Sequence, residues 1–416
     1  MERLPGFRDF YPEPLPHKDV WSADARQYIF SQWREAARRY GFREYDGPPL
    51  EPLELFTTKS GDEIVGQLYN FVDKGDRAIA LRPEMTPTLA RMIAAHERNY
   101  KKPIKWFAIP QLFRYERQQK GRLREHFQLN ADIFGEQDVA ADAELIALLI
   151  DTLRSFGLTA EDFVIRLSSR NAWNDYFTNR GGKAGQEYDF FQVIDKLERA
   201  ESEESQKKLA ALGFSLDDVN AFINSGRPTV ELASIIANLT ARGLGDFVKV
   251  DYKVIRGLAY YTGPVFEAFD RKGEFRAIAG GGRYDNLVKL ISNGKVNLPA
   301  LGFGMGDVVL LELLKARGLL PHFDATVDVF VLIEDENLRS QSLRLVQELR
   351  AAGRVVEYAL TPTKPDKQFK RAQELKAVHT VKVEADGAVK IRDLATRAER
   401  IASLADAVRS LGVVSA

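Results

Sequence analysis

The feature that most limits the fold is a succession of short runs rich in aromatic and β-branched residues, joined by irregular connections rather than by regular helices of one length. AIALRP (78–83), KWFAIPQLFRYE (105–116), FQLNADIFG (127–135), RLSSR (166–170) and AYYTGPVFEAFD (259–270) are each bounded by turn residues and read as strands. Strands connected in this way predict an antiparallel or mixed sheet in an α+β protein, not a doubly wound parallel one. Before them, VWSADARQYIFSQWREAARRY spaces its apolar residues as one face of a helix from Val20 to about Tyr40, and Gly41 stands where a C-terminal cap belongs.

The texture then changes. From about Asn171 to Gly245 strand patterns give way to charged helical sequence such as FFQVIDKLERAESEESQKKLAALG, which reads as a helical insertion. Strands return from Phe247 to about Phe303, and PALGFGMGDVVLLELLKARGLLP reads as a glycine-rich turn entering a helix. From Thr326 onward VDVFVLIE, NLRSQSLRLVQELRAAG, RVVEYAL, DKQFKRAQELKA, HTVKVE, AVKIRDL and SLADAVRSLG predict strand, helix, strand, helix, strand, strand and helix, a terminal α/β domain.

A chain of 416 residues requires more than one core. Its 59 Lys and Arg balance 59 Asp and Glu, so any nucleic-acid contact must come from local basic surface. With no cysteine, disulfides, Cys-ligated metals and thiol nucleophiles are excluded, and the five histidines (His17, His96, His126, His322 and His379) form no metal-ligand pair in the sequence. None of the five is read as catalytic. The N-terminus lacks the apolar core of a signal peptide and no run approaches a membrane span, so the expected location is cytoplasmic, with no membrane partner.

The densest chemistry lies in FRYERQQKGRLREHFQLNADIFGE, which places Arg114, Glu116, Arg117, Lys120, Arg122 and Arg124 between two strands. Arginine's planar fork of donors suits phosphate oxygens, although a charge run alone reads first as a solvated hairpin. The order Arg-x-Glu-Arg, Gly-Arg-x-Arg, then Phe-Gln before a strand resembles motif 2 of the class II aminoacyl-tRNA synthetases, in the spacing of the histidyl branch. YGFREYDGPPLEPLELF, with Pro49, resembles motif 1; LRPEMTPTLAR resembles the amino-acid-binding strand; RGLAYYTGPVFEAF and AIAGGGRYDNL resemble the two histidine-specific motifs; PALGFGMGD resembles the start of motif 3. The tail is similar to an anticodon-binding domain. Taken alone, GGGRYD reads as a tight turn, and Tyr260 and Tyr261 read as strand packing.

This resemblance implies a catalytic core of residues 1–170 and 246–322, an insertion at 171–245 and an anticodon-binding-like domain at 326–416. It implies activation of L-histidine with ATP and Mg²⁺, transfer to histidine tRNA, and a homodimer built on motif 1. By motif correspondence Arg114 and Arg256 meet the α-phosphate, Arg122 the outer phosphates, Glu116 the adenine amine and Phe127 the base. Glu84, Thr86, Gln128, Asp132, Tyr260 and Tyr261 would hold histidine, with Asp132 accepting from the imidazole N–H where the family usually carries glutamate. Two departures from the family pattern stand out: Ala259 replaces an aspartate, and Val308 and Val309 replace the glutamate and arginine that open the motif 3 helix. That second departure leaves open a non-catalytic relative, such as the regulatory subunit of ATP phosphoribosyltransferase, or a synthetase-like RNA-binding protein.

Overall fold

The computed structural model describes residues 2–15, 20–60, 62–115, 123–197, 202–255, 261–323 and 327–412. The chain divides into two compact units, residues 1–10 with 20–321 and residues 11–19 with 322–416.

In the first unit the expected amphipathic helix is α1 (Ala23–Arg39). Ser22 caps it by accepting from the Ala25 amide, and Ile29, Phe30, Trp33, Ala36 and Ala37 form its buried face. Gly41 ends it at φ +76°, while the Gly41 and Phe42 amides donate back to the carbonyls of Arg38 and Ala37. Next come β1 (Arg43–Glu44), β2 (Leu50–Pro52), β3 (Asn70–Val72), β4 (Ala78–Leu81), α2 (Thr86–His96), β5 (Ile104–Ala108), β6 (Gln111–Phe113), β7 (Glu125–Phe134), α3 (Ala140–Arg154) and β8 (Phe163–Ser169). The helices α4 (Arg170–Asn179), α5 (Glu187–Lys196), α6 (Ser202–Ala211), α7 (Leu216–Ser225) and α8 (Val230–Ala241) follow. They pack on aromatic rings, among them Trp173, Tyr176, Phe190, Phe214 and Phe222, and the Trp173 indole N–H donates to the Tyr252 carbonyl (3.0 Å).

The unit closes with β9 (Val248–Val250), β10 (Pro264–Asp270), β11 (Ala279–Arg283), β12 (Ala300–Gly306) and α9 (Asp307–Arg317). Its main sheet runs in the order β9-β8-β10-β11-β12-β7-β5-β1, with β6 paired to β7. The interior pairings are antiparallel and only the outer ones, β8 with β9 and β5 with β1, are parallel among the described residues. The mixed sheet expected from the strand runs is present. Regular helices do join some strands, however, since α2 precedes β5 and α3 precedes β8, and these two strands are the ones that carry the parallel pairings beside the sheet edges.

Two glycine-rich stretches correct the sequence reading. GGGRYD is not a turn, because Gly280, Gly281 and Gly282 belong to the buried strand β11. GFGMG is likewise the strand β12 rather than a turn ahead of a helix. Glycine is required there by close approach: a Cβ on Gly281 would lie 2.6 Å from the Phe303 Cβ.

In the second unit β13 (Val329–Leu332), α10 (Arg339–Ala351), β14 (Val356–Tyr358), α11 (Pro365–Glu374), β15 (His379–Val383), β16 (Val389–Asp393), β17 (Glu399–Ala402) and α12 (Leu404–Gly412) form a sheet ordered β14-β13-β15-β16-β17 with helices. The sequence reading did not include β17, whose residues ERIA are largely exposed and carry no apolar alternation. Among the described residues no helix is long and apolar enough to cross a membrane.

Candidate active site

The floor of the site is the pairing of β7 with β12. Asp132 stands opposite Gly302, Asn130 opposite Gly304 and Gln128 opposite Gly306. Alternation along β7 turns Gln128, Asn130 and Asp132 to one face of the sheet. Their side chains lie over the glycines: a Cβ on Gly304 would come within 2.7 Å of the Gln128 carboxamide carbon, and one on Gly302 would collide with the Asp132 carboxylate. A strand of glycines thus makes room for a row of polar side chains.

The segment between β4 and α2 forms one wall. Arg82 is buried and fixes that segment, its Nη1 donating to the Gly47 carbonyl (2.6 Å) and its Nε to the Gln111 carbonyl (3.1 Å). The Phe113 amide donates to the Arg82 carbonyl (3.0 Å), and Arg114 Nε to the Pro83 carbonyl (3.1 Å). These bonds bring Glu84, Thr86 and Arg114 beside Gln128, Asn130 and Asp132, where Tyr261 and Tyr284 complete a cavity of about 80 Å³. The Tyr284 hydroxyl donates to Asp132. Burial pushes the Asp132 carboxyl up to about 7, against the opposing pull of that hydrogen bond.

A second chamber of about 250 Å³ adjoins the first, since Arg114, Gln128, Gly280 and Gly304 line both. His126, Glu267, Arg276, Val308 and Val309 are among the other residues of its wall. Phe127, expected beside a base, does not line either cavity. It lies one residue out of phase with Gln128 and therefore on the opposite face, where its ring meets Phe30 (5.1 Å between centroids) and Phe10 (6.1 Å). The ring that β7 presents to the chamber is His126. Tyr284, His126 and Arg276 were absent from the expected site; the alternation that placed Gln128 also placed His126, and Tyr284 stood inside a quoted motif.

Glu84, Thr86, Arg114, Gln128, Asp132 and Tyr261 are brought together. Glu116, Arg122, Arg256 and Tyr260 lie outside the described residues.

A buried ion cluster ties the floor to α9. Arg8 donates through Nε to Glu125 (2.6 Å) and through Nη1 to Asp307 (2.8 Å), while the Phe127 amide donates to Asp307 (3.0 Å). The start of β7 and the first residue of α9 are thereby held to one cation, and α9 carries Val308 and Val309 into the chamber wall.

A small polar cavity opening past an arginine into a larger chamber, on an antiparallel sheet, is the plan of a class II aminoacyl-tRNA synthetase catalytic domain. The family model described as histidyl-tRNA synthetase matches residues 18–307, and that described as anticodon binding domain matches residues 326–411. The chain belongs to the histidyl-tRNA synthetase family. It is 46% identical to "Histidine--tRNA ligase" of Opitutus terrae, over 96% of this chain and 95% of that one. It is 38% identical to the chloroplastic/mitochondrial histidine--tRNA ligase of Arabidopsis thaliana, over 96% and 85%. Among solved structures, histidyl-tRNA synthetase from Nostoc sp. PCC 7120 superposes with a TM-score of 0.75 at 23% identity, covering 96% of this chain and 97% of that one, a likeness of fold.

Proposed function

We propose that the protein activates L-histidine with ATP and transfers it to the 3′ end of histidine tRNA. The observation that carries this reading is the sharing of Arg114 by the two cavities: an amino acid in the smaller one and a nucleotide in the larger one would meet beside that guanidinium. There the histidine carboxylate attacks the α-phosphorus, pyrophosphate leaves, and the terminal adenosine hydroxyl of tRNA then attacks the carbonyl of the adenylate. No protein nucleophile is needed. The chain's work is to orient the two substrates and to set cations where negative charge accumulates.

Glu84 and Thr86 would take the α-amino end of histidine, with Gln128 beside them, and Asp132 the imidazole N–H, backed by Tyr284 and flanked by Tyr261. His126 would lie against the adenine. By resemblance Arg256 joins Arg114 at the α-phosphate, Tyr260 joins the histidine pocket, and Glu116 and Arg122 meet the nucleotide. Bound Mg²⁺ would neutralise charge on the phosphates. No cluster of three His, Asp or Glu among the described residues could hold a metal alone, so the ion would be held mainly by the polyphosphate, with Glu267 the carboxylate lining the chamber.

The second unit would read the tRNA, which argues against a purely regulatory relative of the core. A homodimer is in keeping with Leu50, Phe71 and Val72, apolar side chains exposed on the small antiparallel sheet β2-β4-β3. The proposed location is the cytoplasm. The deciding experiment is ATP–pyrophosphate exchange with each amino acid in turn: exchange dependent on histidine alone is expected, and none, or exchange with another amino acid, would overturn the reading.

A further inference from the structure

A chamber that holds ATP must meet the charge of the outer phosphates, and α9, with Val308 and Val309 in the wall, supplies no cation from its first turn. Among the described residues that line the chamber, the arginines are Arg114 and Arg276. They differ in position. Arg114 also lines the amino-acid cavity and so belongs at the reacting phosphate, whereas Arg276 lines the larger chamber only.

Arg276 lies in the connection between β10 and β11, and that connection is tied down on both sides of it. The Glu274 amide donates to the buried carboxylate of Asp270 (2.7 Å), which Arg317 also holds (2.6 Å). Beyond Arg276 the Ile278 amide donates to the Ala268 carbonyl (2.8 Å). Its backbone is therefore positioned by the fold while its side chain remains exposed to solvent, an arrangement that lets a guanidinium turn onto a polyanion. Planar bidentate donation is the strongest contact a side chain makes to phosphate.

We propose that Arg276 binds the outer phosphates of ATP, supplying from the β10–β11 connection the cation that the first turn of α9 lacks. This rests on the activation reaction proposed above. A phosphate of the tRNA acceptor end is the competing source of the same chemistry, and the test separates them.

Equilibrium binding of ATP, AMP, pyrophosphate and histidine is measured on the full chain, on Arg276→Ala, on Arg276→Lys and on Arg276→Ala combined with Val309→Arg. Loss of one charge-assisted phosphate contact should raise the Kd for ATP and for pyrophosphate roughly 10- to 100-fold. AMP and histidine should change by less than about 2-fold, since neither reaches the outer phosphate position. Arg276→Lys should recover part of the loss. Val309→Arg should recover part of it from a different wall, which no merely structural role of Arg276 would allow; if that double variant misfolds, the ATP-to-AMP ratio in the single variants decides alone.

Equal effects on ATP and AMP, or unchanged ATP binding with slowed transfer to tRNA, would overturn the assignment. Histidine-dependent exchange by the parent protein separates the two claims. Selective loss of ATP in a protein without such exchange removes the proposed function and leaves Arg276 in place. Exchange with unaltered ATP binding in Arg276→Ala removes Arg276 alone.

Discussion

Tyr284, on the connection leaving β11, donates its hydroxyl to Asp132 near the end of β7, so the carboxylate in the smaller cavity is oriented from a strand two places across the sheet. The bond leaves one side of the carboxylate committed and sets the direction in which the other can accept.

A pH dependence follows. The Asp132 carboxyl sits at about 7 in the fold, against its ordinary 3.8. A carboxyl raised by folding binds its proton more tightly in the native state, so its stability contribution is full below about pH 4 and is lost as pH rises through about 7. Asp132→Asn removes that loss. Its melting temperature relative to the parent should therefore climb between pH 5 and pH 8 and level off above, with a ceiling on the order of 4 kcal/mol. A difference independent of pH would show that Asp132 is not held protonated. At pH 8 and above, where the carboxyl is ionised, the same variant should lose about 10- to 150-fold in kcat/KM for histidine, as when a hydrogen bond to a charged group is removed, with ATP binding unchanged.

The adjacent rings of His126 and Phe127 on β7 should separate cleanly. His126→Ala is expected to weaken ATP by roughly 5- to 150-fold, the worth of about 1–3 kcal/mol for an aromatic ring stacked on a base, while His126→Phe should keep most of the affinity. Phe127→Ala should instead lower stability, by about 1–3 kcal/mol for a half-buried ring, and leave the Kd for ATP near the parent value. ATP titrations and urea melts on the three proteins decide it; weakened ATP binding in Phe127→Ala alone would reverse the assignment.

Arg8→Met should be strongly destabilising. It would leave Glu125 and Asp307 buried and facing each other without a cation, and breaking such a cluster costs about 3–5 kcal/mol. Adding Glu125→Gln and Asp307→Asn should return much of that in urea denaturation, since the cost lies in the uncompensated carboxylates. No recovery would mean that Arg8 acts through its packing on Phe10 and Trp21 instead.

Much of this architecture was legible because its signals are local. The helix α1 announces itself by apolar spacing and by Ser22 and Gly41 at its ends, and the row Gln128, Asn130 and Asp132 follows from strand alternation once β7 is placed. What was not legible depends on neighbours distant in sequence. Gly280 to Gly282 look like a turn until Phe303 is known to press on them. The exchange of Phe127 for His126 turns on a single step of alternation, and the motif resemblance outweighed it. Tyr284 has no signal except its partner Asp132, and Arg276 none except the chamber. An exposed charged edge such as β17 has no apolar face to reveal it.

The glycine floor has a consequence for synthesis. The cavity exists only when residues 300–306 have paired with residues 128–134, and α4 to α8 lie between them in the chain. A chain emerging from the ribosome carries Glu84, Thr86, Gln128 and Asp132 long before it carries the strand that underlies them. Closing so long a loop is entropically costly and such non-local pairing is slow, so the smaller cavity is a late product of folding. A molecule bound there stabilises only chains in which the sheet has closed. Free histidine, in the proposed role, would thus favour finished molecules over nascent ones, and the substrate would act as a maturation signal for the enzyme that consumes it.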